Sequence, residues 1–314
     1  MMGPVGPELP PEAMAGTSTQ QLPSEVAFHM KGHSGAVLAV RFNAQGSYCL
    51  SCGKDRTLRL WNPHKGILIK TYTGHGYDVR DASVSADNSQ FASCGGDRQV
   101  YLWDVASGRI IRKFAGHDGV TNTVRHSLNN EVLVSGGYDK AVKVWDCRSR
   151  NFQAVQSMNP FHDSVTTAVV GATDILACSV DGTVRRFDVR MGALYTDELH
   201  HPVTSMALSH DGLCVLASCM NSSLMLLDKE SGDVLATYHG HKHEAIKLDC
   251  ALTPSDEFVL CGSEDGKVYI WDLVDEKVVK TIDVCHGVVS SLAIHPQMDC
   301  LLTASTHGTV TVWR

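Results

Sequence analysis

Seven anchor residues recur along the chain at a nearly constant interval. They are Trp61, Trp103, Trp145, Phe187, Leu227, Trp271 and Trp313, spaced 42, 42, 42, 40, 44 and 42 residues apart. A repeat of this length constrains the fold more than any other feature. A unit of about 40–45 residues cannot bury its own apolar faces and must stack against copies of itself. Gly-His pairs open the units at Gly32–His33, Gly74–His75, Gly116–His117 and Gly240–His241. Trp-Asp pairs close them at Trp103–Asp104, Trp145–Asp146 and Trp271–Asp272, with weaker copies at Trp61–Asn62, Phe187–Asp188 and Leu227–Asp228. Each unit reads as four short strands. In the first they are "AVLAVRFN", "YCLSC", "TLRLW" and "ILIKTYT", separated by the turn signals "NAQG", "GKD" and "NPHKG".

These dipeptides at this period, from about residue 26 to residue 314, resemble the WD-repeat family. The resemblance implies an all-β fold, a seven-bladed WD-repeat β-propeller. The chain ends on "TVTVWR", the third strand of the seventh unit, with no fourth strand after it. An unpaired edge there would invite aggregation. Upstream of the first Gly-His, "VAFHM" occupies the place of a fourth strand. Residues of about 25 to 31 are therefore predicted to complete the last blade and close the ring. The expected organisation is one propeller over 25–314, preceded by a disordered Pro/Gly-rich tail over 1–24.

Three units share four polar positions: His33, Ser51, Asp55 and Trp61; His75, Ser93, Asp97 and Trp103; His117, Ser135, Asp139 and Trp145. A Ser-His-Asp set invites a hydrolase reading. Three copies at identical spacing argue against it, because a catalytic constellation is normally built once. An indole N–H can only donate, a hydroxyl can accept and donate, and imidazole can pass a hydrogen bond on to a carboxylate. The pattern therefore predicts a structural relay in each blade. The sixth unit keeps His241, Asp265 and Trp271 around Cys261, and is expected to hold a fourth such set. His307 replaces the Asp in unit seven, opposite His286. Units four and five lack the relay, with Ala177 and Phe187, and Ala217, Asn221 and Leu227, and are expected to be the softer sector.

Arg186 stands where Leu60, Leu102, Val144, Leu226, Ile270 and Val312 stand in the other units. It should either snorkel or pair with a nearby acid such as Asp188, or mark a specialised surface between blades four and five. Lys54, Arg80, Tyr138 and Glu264 fall where fourth-to-first and second-to-third strand loops should ring one face, as candidate partner contacts.

The 27 basic and 34 acidic residues give a net charge of −7, which supplies no electrostatic footprint for direct nucleic-acid binding. No apolar run is long enough for a membrane helix, and the N-terminus lacks the basic and apolar regions of a secretory signal. The 11 cysteines are scattered, mostly in apolar strand-like runs, and read as reduced residues of an intracellular protein. Cys49 and Cys52 match CxxC without a second pair. No phosphate loop, zinc-protease motif or unique nucleophile–base set is present in the sequence, so no enzymatic activity, cofactor or metal is expected.

Further stretches, "DGTVRRFDVRMGALY", "LLDKESGDVLATYHGHKHEAIKLDC" and "SEDGKVYIWDLV" among them, resemble the mitogen-activated protein kinase organisers within the WD-repeat family. The resemblance implies a non-catalytic scaffold with kinase-cascade components or spliceosomal proteins as partners. It also implies a chain monomeric within larger complexes, in the cytoplasm and nucleus. "WDCR", at Trp145, Asp146, Cys147 and Arg148, resembles the ending of WD-repeat substrate receptors of cullin-based ubiquitin ligases, where the arginine contacts the ligase adaptor.

Overall fold

A computed structural model describes residues 22–314. Twenty-eight strands, numbered in chain order, form seven antiparallel sheets of four strands each. Six sheets use consecutive strands. In the seventh, strand β1 (Val26–Lys31) lies at the edge beside β28 (Thr309–Trp313) from the other end of the chain, followed by β27 (Leu301–Ser305) and β26 (Val289–Ile294). The register sets Phe28 opposite Val312 and Met30 opposite Val310. The predicted closing strand is thus in place, and pairing starts slightly earlier than expected. Ser24 and Glu25 N–H both donate to the Arg314 carbonyl, and Arg314 N–H donates to the Glu25 carbonyl. Leu22 packs on the cluster between blades six and seven. Residues 1–21 of the expected tail lie outside the described residues.

The four strands of a blade follow from their residues. In the first blade the second strand β3 (Cys49–Gly53) is wholly buried, the innermost β2 (Val37–Phe42) and the third strand β4 (Thr57–Asn62) are partly buried, and the outermost β5 (Ile67–Thr73) is mostly exposed. The turn between second and third strands takes the same form all round. Asp55 Oδ1 accepts from Thr57 N–H and Oγ–H, while Arg56 takes a left-handed φ of 64°. Arg98, Lys140 and Ser222 hold the equivalent conformation, and glycine takes it at 182, 266 and 308.

Seven apolar clusters lie one between each pair of neighbouring blades. The one joining last blade to first contains Met30, Trp61, Val37, Val310 and Val312. Both faces of every sheet are thereby covered, which is the physical requirement that made the repeat obligatory. Cys49 and Cys52 belong to clusters on opposite faces of β3, and burial pushes both thiols up.

Candidate functional site

The relays of the first three blades are assembled as follows. The Trp61 indole N–H donates to Ser51 Oγ at 2.8 Å, Ser51 lies 2.7 Å from His33 Nε2, and His33 Nδ1 lies 2.9 Å from Asp55. In the second blade the Trp103–Ser93, Ser93–His75 and His75–Asp97 separations are 2.8, 2.7 and 2.7 Å. In the third, Trp145, Ser135, His117 and Asp139 follow at 2.8, 2.7 and 2.9 Å. The serines are wholly buried. Burial lowers the His33 pKa, against the raising effect of Asp55. Each serine hydroxyl is committed on both sides, to indole and imidazole, so none is poised for attack on a substrate.

The sixth blade corrects the expectation of a fourth relay. The Trp271 indole N–H donates instead to the His239 carbonyl at 2.9 Å, and Tyr269 O–H donates to Asp265 at 2.8 Å. Among the described residues neither ring nitrogen of His241 has a partner, and burial, with His243 and His239 adding to it, lowers its pKa to about 4. The reason is Cys261: a thiol accepts hydrogen bonds weakly, so the indole turns to a backbone carbonyl. Restoring the hydroxyl with Cys261→Ser should reconnect indole and imidazole and stabilise the ring by about 0.5–1.5 kcal/mol. Thermal melting of the variant checks this; a lowered melting temperature would count against the relay logic.

Blades four and five lose the relay as a set. Phe161, Ala177 and Phe187 form one apolar group in blade four, and Leu199, Ala217 and Leu227 form another in blade five. Asp181 keeps the relay position in blade four but accepts from the His162 and Thr183 N–H groups instead, so it is left satisfied. In blade seven only the first bond persists, from the Trp313 indole N–H to Thr303 Oγ1 at 2.9 Å.

Two candidate contacts turn inward, and both are corrections. Arg186 is only 6% exposed. Its Nη1 donates to Glu230 Oε1 at 3.1 Å, and its guanidinium lies 4.3 Å over the Tyr195 ring. The partner is not Asp188, whose carboxylate accepts the Arg190 and Met191 N–H groups of its own turn. Arg186 thus bridges blades four and five as a structural residue. Glu264 Oε1 accepts from the N–H groups of Glu244, Ala245 and Ile246, at 3.0, 2.6 and 3.0 Å. It fastens the "HKHEAIKLDC" loop and offers that oxygen to no partner. In the same loop His243 is buried between Ser218 and Thr204 of blade five.

The remaining candidates face outward. Lys54 is exposed, Tyr138 is 66% exposed, and Arg80 is half-exposed while bonded to Asp78 and Asn122. All three sit on the face formed by the second-to-third and fourth-to-first strand loops. Arg148 follows the opposite end of β12 (Val142–Asp146), and so lies on the other face, with its exposed guanidinium 2.6 Å from Glu131.

A charged cluster in the ring centre was not anticipated. Arg41 on β2 reaches Asp81 in blade two at 3.0 Å and Asp249 in blade six at 2.7 Å. Arg125 in blade three also pairs with Asp81, and Ser291 in blade seven donates to Asp249 at 2.6 Å. Lys247 Nζ crosses from blade six to the Thr166 carbonyl of blade four at 2.9 Å. Burial pushes the Asp81 pKa up, but Arg125, Arg41 and Lys247 outweigh it and hold it at about 2. The signal was visible in the innermost strands, where Ala39, Asp81, Thr123, Thr167, Ser205, Asp249 and Ser291 occupy one aligned position. The cluster ties six blades together across the axis.

Comparison with known proteins matches the model described as "WD domain, G-beta repeat" to residues 24–62, 66–104, 108–146, 232–272 and 276–314. The unmatched stretch spans the two blades without relay residues. The chain is 58% identical over 280 residues to "WD repeat domain-containing protein 83" of Rattus norvegicus, covering 89% of each chain. It is 53% identical over 311 residues to the Mus musculus protein of that name, covering 99% of this chain and 94% of the other. It is 31% identical over 312 residues to the "WD repeat domain-containing protein 83 homolog" of Dictyostelium discoideum, covering 90% and 96%. With seven four-stranded blades, buried Trp-Ser-His-Asp relays and this similarity along nearly its whole length, the chain belongs to the WD-repeat family.

Proposed function

We propose that the ring is a non-catalytic protein-interaction scaffold that gathers kinase-cascade components, spliceosomal proteins or both, as a monomer within larger complexes of the cytoplasm and nucleus. The observation that carries this reading is the fate of the polar sets. All three Ser-His-Asp groups are committed inside blades, while Tyr138 and Lys54 stand exposed on the face ringed by loops. Exposed aromatic and cationic residues on a rigid frame are common anchors for partner proteins.

A second reading, substrate receptor of a cullin-based ubiquitin ligase, is favoured by one feature. Arg148 of the Trp145-Asp146-Cys147-Arg148 motif is exposed on the opposite face. One experiment addresses both readings: affinity purification of the tagged chain from nuclease-treated cell extract, with Tyr138→Ala and Arg148→Asp in parallel. The scaffold reading expects kinase-cascade or spliceosomal proteins to survive nuclease and to fall at least about fivefold with Tyr138→Ala at unchanged melting temperature. Recovery of neither class would overturn it. Loss of a cullin adaptor with Arg148→Asp would support the second reading, and unchanged recovery would count against it.

A further inference from the structure

Blade three is the one whose outer strand is shortest, with only Gln156–Met158 forming β13, against seven residues in β5. The shortened wall leaves a groove of about 730 Å³ between blades three and four, within the range of ligand-binding clefts. Its floor is apolar, with Val134 and Val144 from blade three facing Val170, Ile175 and Phe187 from blade four. Leu128 and Val189 stand at its rim, 69% and 66% exposed.

The charge of the groove is one-sided. Asp174 and Asp188 are among its lining residues, and no lysine, arginine or histidine is. Asp174 is buried, with Oδ2 3.4 Å from Lys229 Nζ, whereas its Oδ1 has no hydrogen-bond partner among the described residues. That oxygen lies against Gly171, also a lining residue, so closely that a Cβ there would overlap it. A buried carboxylate oxygen without a donor, at the wall of an apolar cleft, calls for a donor from outside.

We propose that this groove docks an extended segment of a partner protein in which an aliphatic or aromatic side chain lies next to a lysine or arginine. The apolar side chain fills the floor between the blades, and the cation approaches Asp174. The chain's own first 21 residues are a poor match, since they contain Glu8 and Glu12 but no lysine or arginine. The proposal rests on the scaffold reading and adds to it a second surface with a stated partner chemistry.

The test is selection of a displayed library of random 12-residue peptides on the full chain, followed by titration of the synthetic consensus peptide. Leu128→Lys combined with Val189→Lys places cations at exposed rim positions, where folding is not at stake; unchanged melting checks this. Selected peptides should pair an apolar residue with a neighbouring lysine or arginine. The consensus peptide should bind the double variant at least about tenfold more weakly than the parent, and Asp174→Asn should also weaken it. No enrichment, a consensus without a basic residue, or equal affinity for the double variant would overturn the proposal. So would at least about tenfold tighter binding after deletion of residues 1–21, which would make the tail the occupant. Dimerisation abolished by the double variant would overturn it in favour of a second copy. Failure here leaves the cellular partners of the scaffold reading untouched, and failure of those partners leaves peptide binding intact.

Discussion

Removal of residues 1–31 should lower the melting temperature by about 8 °C, while removal of residues 1–21 leaves it unchanged. The longer deletion takes away β1, and with it the ladder from Val26–Trp313 to Lys31–Thr309. It also removes Met30, which is 1% exposed and packs among Val37, Trp61, Val310 and Val312. Loss of a buried methionine side chain alone costs about 2–5 kcal/mol. Uncovering the edge of β28 adds unpaired backbone groups. A total of about 5 kcal/mol corresponds to about 8 °C for a ring of this size, at about 2.1 cal/mol/K of unfolding entropy per residue. The relay of the seventh blade, reduced to the Trp313–Thr303 bond, offers little compensation. Differential scanning of the two deletions against the parent measures the effect; equal melting of all three would remove the closing role of β1.

Asp81→Ala should be the most damaging single substitution in the ring, at about 3–5 kcal/mol. Asp81 is wholly buried, and its carboxylate is shared by Arg41 and Arg125 from the neighbouring blades. Truncation leaves two guanidinium groups with fewer counter-charges in a desolvated channel. The sign of the pH dependence follows from the Asp81 pKa of about 2, held there by Arg125, Arg41 and Lys247 against burial. Its unfolded value is about 3.9. The unfolded state thus binds the proton first as pH falls. The contribution of Asp81 is fully present above about pH 4 and is lost as pH drops through about 2. Asp81→Asn should therefore lower stability at neutral pH and flatten the acid limb between pH 4 and 2. Denaturant titrations across that range compare parent and variant; an unchanged acid limb would mean that Asp81 does not carry the charge lock.

What could be read from the sequence depended on distance along the chain. Each relay lies within one blade: Ser51 and His33 are 18 residues apart, and His33 and Asp55 are 22 apart. Hairpin geometry fixes such spacings, so three copies exposed both the period and the hydrogen-bond logic. The closing strand was legible because an unpaired last strand has to be covered. Contacts between blades were not. Arg41 meets Asp249 across 208 residues, and Arg186 meets Glu230 across 44. For Arg186 the nearest acid in sequence, Asp188, was already committed to capping its own turn. In blade six the polar residues stand at the repeat positions, but the indole has a better acceptor in the His239 carbonyl than in a thiol. The groove between blades three and four had no sequence signal beyond the irregular segment that yields the short strand β13.

Complementation tests most directly the claim that a strand from one end of the chain completes the blade built at the other. The chain lacking residues 1–31 is mixed with a synthetic peptide covering residues 22–32, and melting is followed as peptide is added. A ligand that binds only the folded state raises the melting temperature with concentration. The account predicts a saturable rise toward the parent value, lost when the Met30 position of the peptide carries aspartate. A melting temperature that does not move at saturating peptide would contradict it.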